Sequence, residues 1–137
     1  MNRQDTKSAK EEPDQILDAL AHRVIGSAIE VHRELGPGYL ESVYEAAMAV
    51  ELEAQRIAFV RQLAFTVPYK TQKVGEDRID FLIEGCLIVE LKAVDKLVPI
   101  HTAQVISYLK ATGCVLGLLI NFNERLLRSG IQRVILS

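Results

Sequence analysis

Hydrophobic positions along the chain repeat with two different periods, and the change of period divides it. A polar, charged start, residues 1–12, has no apolar repeat and is expected to be a disordered leader. Beyond Pro13, the residues Ile16, Leu17, Leu20, Ala21, Val24, Ile25, Ala28, Ile29 and Leu35 recur at helical spacing, and Asp14 is placed to cap that helix. Gly36-Pro37-Gly38 must end it, because glycine accepts left-handed geometry and proline cannot continue the hydrogen-bond ladder. A second helix is expected over about residues 41–56, packing through Val43, Tyr44, Ala47 and Met48, with Leu52 as a further candidate.

The period then shortens. Residues 63–69 and 79–83 read as strands, and 87–94, rich in β-branched residues between Gly85 and Pro99, reads as a third. Polar turn material at 71–77 separates the first two and Glu84-Gly85-Cys86 the next, so an antiparallel meander is the economical reading. A helix over about 101–112, a stop at Gly113 and a buried-looking strand over 115–121 follow. A right-handed crossover of that kind sets the new strand parallel to 87–94, and 131–136 adds a short edge strand. The expected fold is α/β, a mixed sheet flanked by helices, in one globular domain over residues 13–137.

Composition narrows the class. With 137 residues, 49% of them hydrophobic and 25% charged, the chain can fill one core. Its apolar runs are far shorter than the roughly 20 residues that cross a bilayer, and its start lacks a hydrophobic signal core, so a cytoplasmic location is expected. Cys86 and Cys114 lack metal-ligand spacing and read as reduced, structural thiols. A formal net charge of -2 gives no general attraction to nucleic acid, so such contact needs a local patch. Arg61, Lys70, Lys73, Arg78, Lys96 and Lys110 are the candidates, though scattered basic residues are more often a solvated surface.

The chemistry lies in the third strand. In Leu87-Ile88-Val89-Glu90-Leu91-Lys92 an acid and a base interrupt an apolar run two positions apart, which puts both on one face of a strand. Burying charge in a sheet costs several kcal/mol in general unless it is paired, hydrogen-bonded or metal-bound. The bland reading is an ion pair on an edge strand. Asp80 weighs against it, because a second acid interrupts the neighbouring apolar strand across the hairpin. Two converging carboxylates can hold a hard divalent cation, Mg²⁺ or Mn²⁺, while the lysine orients water or balances charge on a phosphate.

Register decides whether they converge. A two-residue Glu84-Gly85 loop sets Asp80 opposite Val89, whereas a three-residue loop including Cys86 sets it opposite Glu90. The longer loop, or an equivalent bulge, is the one expected.

Asp80 followed by Glu90-Leu91-Lys92 resembles the D…ExK signature of the PD-(D/E)XK nuclease superfamily. Gly38-Tyr39-Leu40-Glu41-Ser42-Val43-Tyr44 is similar to the pattern of the GxxExxY family within it, and Val89 to Val94, Pro99-Ile100-His101, Gln104 to Tyr108 and Leu116 to Phe122 resemble that family's later blocks. The resemblance spans residues 25–135 and implies a restriction-endonuclease-like core. It implies that Asp80 and Glu90 hold the metal, that Glu41 reaches it directly or through water, that Lys92 is the catalytic lysine and that Gln104 supports the site, with Tyr108 on the same helix face.

Simpler roles compete for the helpers. Glu41 also suits a helix's first turn, Tyr44 suits packing, and His101 suits a surface or capping role. His22 and His32 have no evident partner. Gly36 and Gly38 serve backbone geometry, since the segment does not match a P-loop. Two functions follow: a metal-dependent nuclease acting on DNA, or a non-catalytic interaction module on the same fold, working as a homodimer or assembly subunit.

Overall fold

A computed structural model describes residues 2–136, with side chains from 15 onward; the side chains of the expected leader therefore lie outside the described residues. Helix α1 (Asn2–Leu35) and α2 (Glu41–Ala54) precede three strands, β1 (Phe59–Tyr69), β2 (Gln72–Ile83) and β3 (Leu87–Lys92); α3 (Pro99–Thr112), β4 (Leu116–Asn121), a short 3₁₀ turn (Leu127–Gly130) and β5 (Ile131–Ile135) follow. The five strands form one sheet in the order β1-β2-β3-β4-β5. Among the described residues only the β3/β4 pair is parallel, as expected for two strands joined by a helical crossover.

Two apolar clusters sandwich the sheet. Leu20, Ala21, Val24 and Ala28 of α1 and Tyr44, Met48 and Leu52 of α2 pack on Phe81, Ile83, Leu87, Val89 and Leu91. On the other face Val105, Tyr108 and Leu109 of α3 cover Ile79, Ile88 and Leu119. The close seat of α3 depends on Gly117, where a Cβ would stand 2.7 Å from the Val105 Cγ1. Gly113, at φ 78, ends α3 and returns its N–H to the Leu109 carbonyl at 2.9 Å.

Several boundaries differ from expectation. The first helix begins at Asn2 rather than after Pro13. Residues 71–77, expected as turn, mostly belong to β2, which starts at Gln72. β3 stops at Lys92 instead of Val94. Ile16 and Val43, expected in the core, are exposed, while Val31 and Ala49 are buried. The β1/β2 ribbon is exposed on both faces over much of its outer part, so hairpin hydrogen bonds rather than burial hold its polar residues extended.

Candidate active site

The loop from β2 to β3 contains Glu84, Gly85 and Cys86, with left-handed backbone at Glu84 (φ 52) and Gly85 (φ 72). Its odd length gives the register Ile83↔Leu87, Leu82↔Ile88 and Phe81↔Val89, whose continuation sets Asp80 across from Glu90. The ladder is interrupted there. Asp80 Oδ2 accepts the Leu91 N–H at 2.9 Å, so the carboxylate itself lies against the backbone of β3.

Glu90 and Lys92 share the face of β3 that α3 covers, and β3 is the central strand, not an edge. Lys92 Nζ stands 3.6 Å from Glu90 Oε2, with the two side chains 14% and 7% exposed. Glu90 Oε1 is buried and has no hydrogen-bond partner among the described residues. Burial, then the neighbouring Asp80 charge, pushes the Glu90 carboxyl up to about 8, against the pull of Lys92. Asp80 is raised as well, by burial first; the Leu91 N–H opposes that, and the charges of Glu45 and Glu41 add to it.

The end of β3 is fixed by Asn121, which lies fully buried at the end of β4. Its Nδ2 donates to the Val94 carbonyl at 2.9 Å and its Oδ1 accepts the Val94 N–H at 3.0 Å, so one side chain replaces a strand partner. The Phe122 N–H adds a bond of 2.8 Å to the Lys92 carbonyl. These contacts hold the backbone that carries the lysine.

The helper residues divide. Glu41, in the first turn of α2, accepts the Ala93 N–H at 3.4 Å and so reaches the end of β3. Tyr108 is buried, and burial followed by the charges of Glu90, Asp77 and Asp80 raises its hydroxyl above the ordinary range; Gln104 stands beside that hydroxyl. Tyr44 is a packing residue: its ring stacks on Phe122 at 4.5 Å, and its hydroxyl donates to the Gly36 carbonyl at 2.5 Å, tying down the glycine turn. His101 accepts the Val98 N–H on Nδ1 at 3.0 Å and caps α3. His32, for which no partner was evident, donates from Nε2 to the Glu124 carbonyl at 2.7 Å.

Two further residues enter that pattern reading missed. Glu45 lies one helical turn beyond Glu41, a spacing that was itself a signal. Gln62 donates from Nε2 to Glu45 Oε1 at 2.8 Å and to Asp80 Oδ1 at 3.2 Å, and nothing in its exposed, alternating strand marked it.

Among the six basic candidates, Arg61, Lys70, Lys73 and Arg78 lie on the β1/β2 ribbon, Lys96 follows β3, and Lys110 lies in the last turn of α3. Arg61 pairs with Glu45 and Lys73 with Glu76. Cys86 and Cys114 are both free thiols. Among the described residues no helix is long and apolar enough to cross a membrane, and no three His, Cys, Asp or Glu side chains stand close enough together to hold an ion.

The donor set nevertheless has the chemistry of a hard-cation site. It offers carboxylate oxygens from two adjacent strands, one of them a buried oxygen without a partner among the described residues. Neither the curated proteins nor the solved structures gave a match to the chain. The family model for the PD-(D/E)XK nuclease superfamily matches residues 18–134, which include Asp80, Glu90 and Lys92. The chain therefore belongs to the PD-(D/E)XK nuclease superfamily, and its mixed sheet between helices is the restriction-endonuclease-like α/β fold.

Proposed function

We propose that this protein is a divalent-metal-dependent nuclease of the GxxExxY type that hydrolyses phosphodiester bonds of DNA, in a cytoplasmic setting. The observation that carries the reading is Glu90 Oε1, a buried carboxylate oxygen with no partner among the described residues, beside a second acid and a lysine. An oxygen left in that state costs free energy that a cation would recover. Asp80 and Glu90 would hold Mg²⁺ or Mn²⁺, with Glu41 as the third acidic group, reaching it directly or through water.

The cation, when bound, supplies Lewis acidity and lowers the pKa of water. The chain's own residues do the rest. The Leu91 N–H donates to Asp80 Oδ2 and anchors one oxygen of that carboxylate beside the site. Lys92, held on the clamped end of β3, places an ammonium where charge develops on a phosphate, and it can orient the attacking water. The hydrophobic layer of α3 limits the water around Glu90, and Gln104 and Tyr108 support that wall. A second copy or a partner protein would supply contact area beyond that of one small domain.

Metal-free protein titrated with Mn²⁺ by calorimetry, alongside nicking of plasmid DNA, tests this reading. Glu90→Gln is expected to lower cation affinity and activity together. Wild type that binds no divalent ion at millimolar concentration, with DNA present, would sink the enzyme reading and favour the interaction module.

A further inference from the structure

Apart from the bulge at Val67/Pro68, the regular alternation of β1 and β2 fails at one row. Phe59, Phe81 and Ile83 belong to the cluster under α1 and α2, whereas Leu63, Phe65 and Ile79 belong to the one under α3. All are odd-numbered, so the two strands change face between Arg61↔Phe81 and Leu63↔Ile79. The row between those pairs is Gln62 and Asp80, and Gln62 has a left-handed backbone, φ 52. Such geometry in a non-glycine residue is uncommon inside a strand, and it persists where surrounding contacts fix it.

Those contacts converge on one nitrogen. Gln62 Nε2 bridges Glu45 Oε1 and Asp80 Oδ1, at 2.8 and 3.2 Å. Glu45 Oε2 is occupied by Arg61, 3.2 Å from its Nε and 3.1 Å from its Nη2. The Leu91 N–H takes Asp80 Oδ2 at 2.9 Å. Each Asp80 oxygen thus carries one fixed N–H, which sets the carboxylate plane and leaves a lone pair on each oxygen. A neutral amide suits this position, since it offers two N–H groups to two carboxylates that repel each other and brings no positive charge to compete with a cation.

We propose that Gln62, anchored by Glu45, is a positioning residue that fixes the Asp80 carboxylate for a divalent cation. The inference rests on the metal-dependent reading and adds to it an assigned source for the orientation of Asp80. Residues that orient ligands from behind are typically worth about 10- to 100-fold in metal affinity.

Gln62→Gly separates positioning from support of the fold. Glycine accepts φ 52 without strain, so the backbone is not weakened, while the tether is removed. The metal-free variant should unfold near the wild-type temperature, because relief of the left-handed backbone offsets the two lost side-chain hydrogen bonds, and its calorimetric Kd for Mn²⁺ should rise about tenfold or more. Glu45→Ala should weaken binding similarly, and the double variant should be little worse than either single one, because both act through one chain of contacts. Gln62→Gly that binds Mn²⁺ as wild type does, or whose affinity falls only in step with lost stability, overturns the inference alone. Wild type that binds no Mn²⁺, or Asp80→Asn that binds it undiminished, overturns the metal reading as well.

Discussion

Glu90→Gln, studied in the metal-free protein, measures the electrostatic cost stored at the site. The Glu90 carboxyl is raised from its ordinary 4.5 to about 8, since burial and the Asp80 charge outweigh the attraction of Lys92. Between those values the folded protein holds a proton that the unfolded chain has released, so acid stabilises the fold. This contribution is complete below pH 4.5 and is lost as pH rises through about 8. At about 1.4 kcal/mol per pH unit, the group makes the fold roughly 3 kcal/mol less stable at pH 7 than at pH 4. Asp80, raised mainly by burial, acts in the same direction.

Glutamine keeps the shape and removes the ionisation. Urea unfolding in a chelating buffer should show wild type losing stability steadily from pH 5 to pH 8, and the variant losing much less. At pH 8 the variant should be the more stable by about 4 kcal/mol, on the order of 10 °C in the unfolding midpoint for a chain of this length. Near pH 4 the two should nearly coincide. Wild type equally stable at pH 5 and pH 8, or a variant that is weaker at pH 8, would refute the reasoning.

Divalent binding should follow the same ionisation, with the Mn²⁺ Kd falling toward tenfold per pH unit up to about pH 8; an affinity that is flat with pH would count against Glu90 as ligand. Lys92→Ala should bind Mn²⁺ as well as wild type or better, because a cation next to the site is gone, while plasmid nicking falls by about a hundredfold or more. Gly117→Ala would force a methyl against the buried Val105 and should cost roughly 1–3 kcal/mol in thermal or urea unfolding. Nucleic-acid affinity should fall steeply with added salt, and Lys96→Glu should weaken it more than Lys110→Glu, because the crossover carries α3 from the Lys92 end of β3 back toward the Leu87 end; binding that ignores salt would exclude this electrostatic mode.

The order and pairing of the inner strands were legible because β2, β3 and β4 carry buried apolar residues, and the odd-length loop was legible because only one register brings two acids together. The outer ribbon was not. Residues 72–77 pair with β1 but are largely exposed, so no alternation of apolar and polar residues marks them as strand. Helix faces were legible except at their margins: Ile16 and Val43, expected in the core, are exposed, while Val31 and Ala49 are buried. An apolar stripe on a helix is broad, and the sequence pattern does not fix where its margin meets the core.

The site was legible in proportion to what its groups cost to bury. Glu90 and Lys92 interrupt a run whose other members are 0–1% exposed, so each stands out against its neighbours and demands a reason. Asn121 is as deeply buried, yet it ends its strand, where a polar residue reads as the edge of the element rather than part of a site. Glu45 and Gln62 act from positions with access to water, where a polar side chain costs little and therefore carries no contrast. What marks Gln62 is its backbone, at φ 52, and that is set by the two acids it bridges across three elements, α2, β1 and β2. Ligands buried in a sheet announce themselves in a pattern of hydrophobic positions; the residues that aim them become visible only when the elements are assembled.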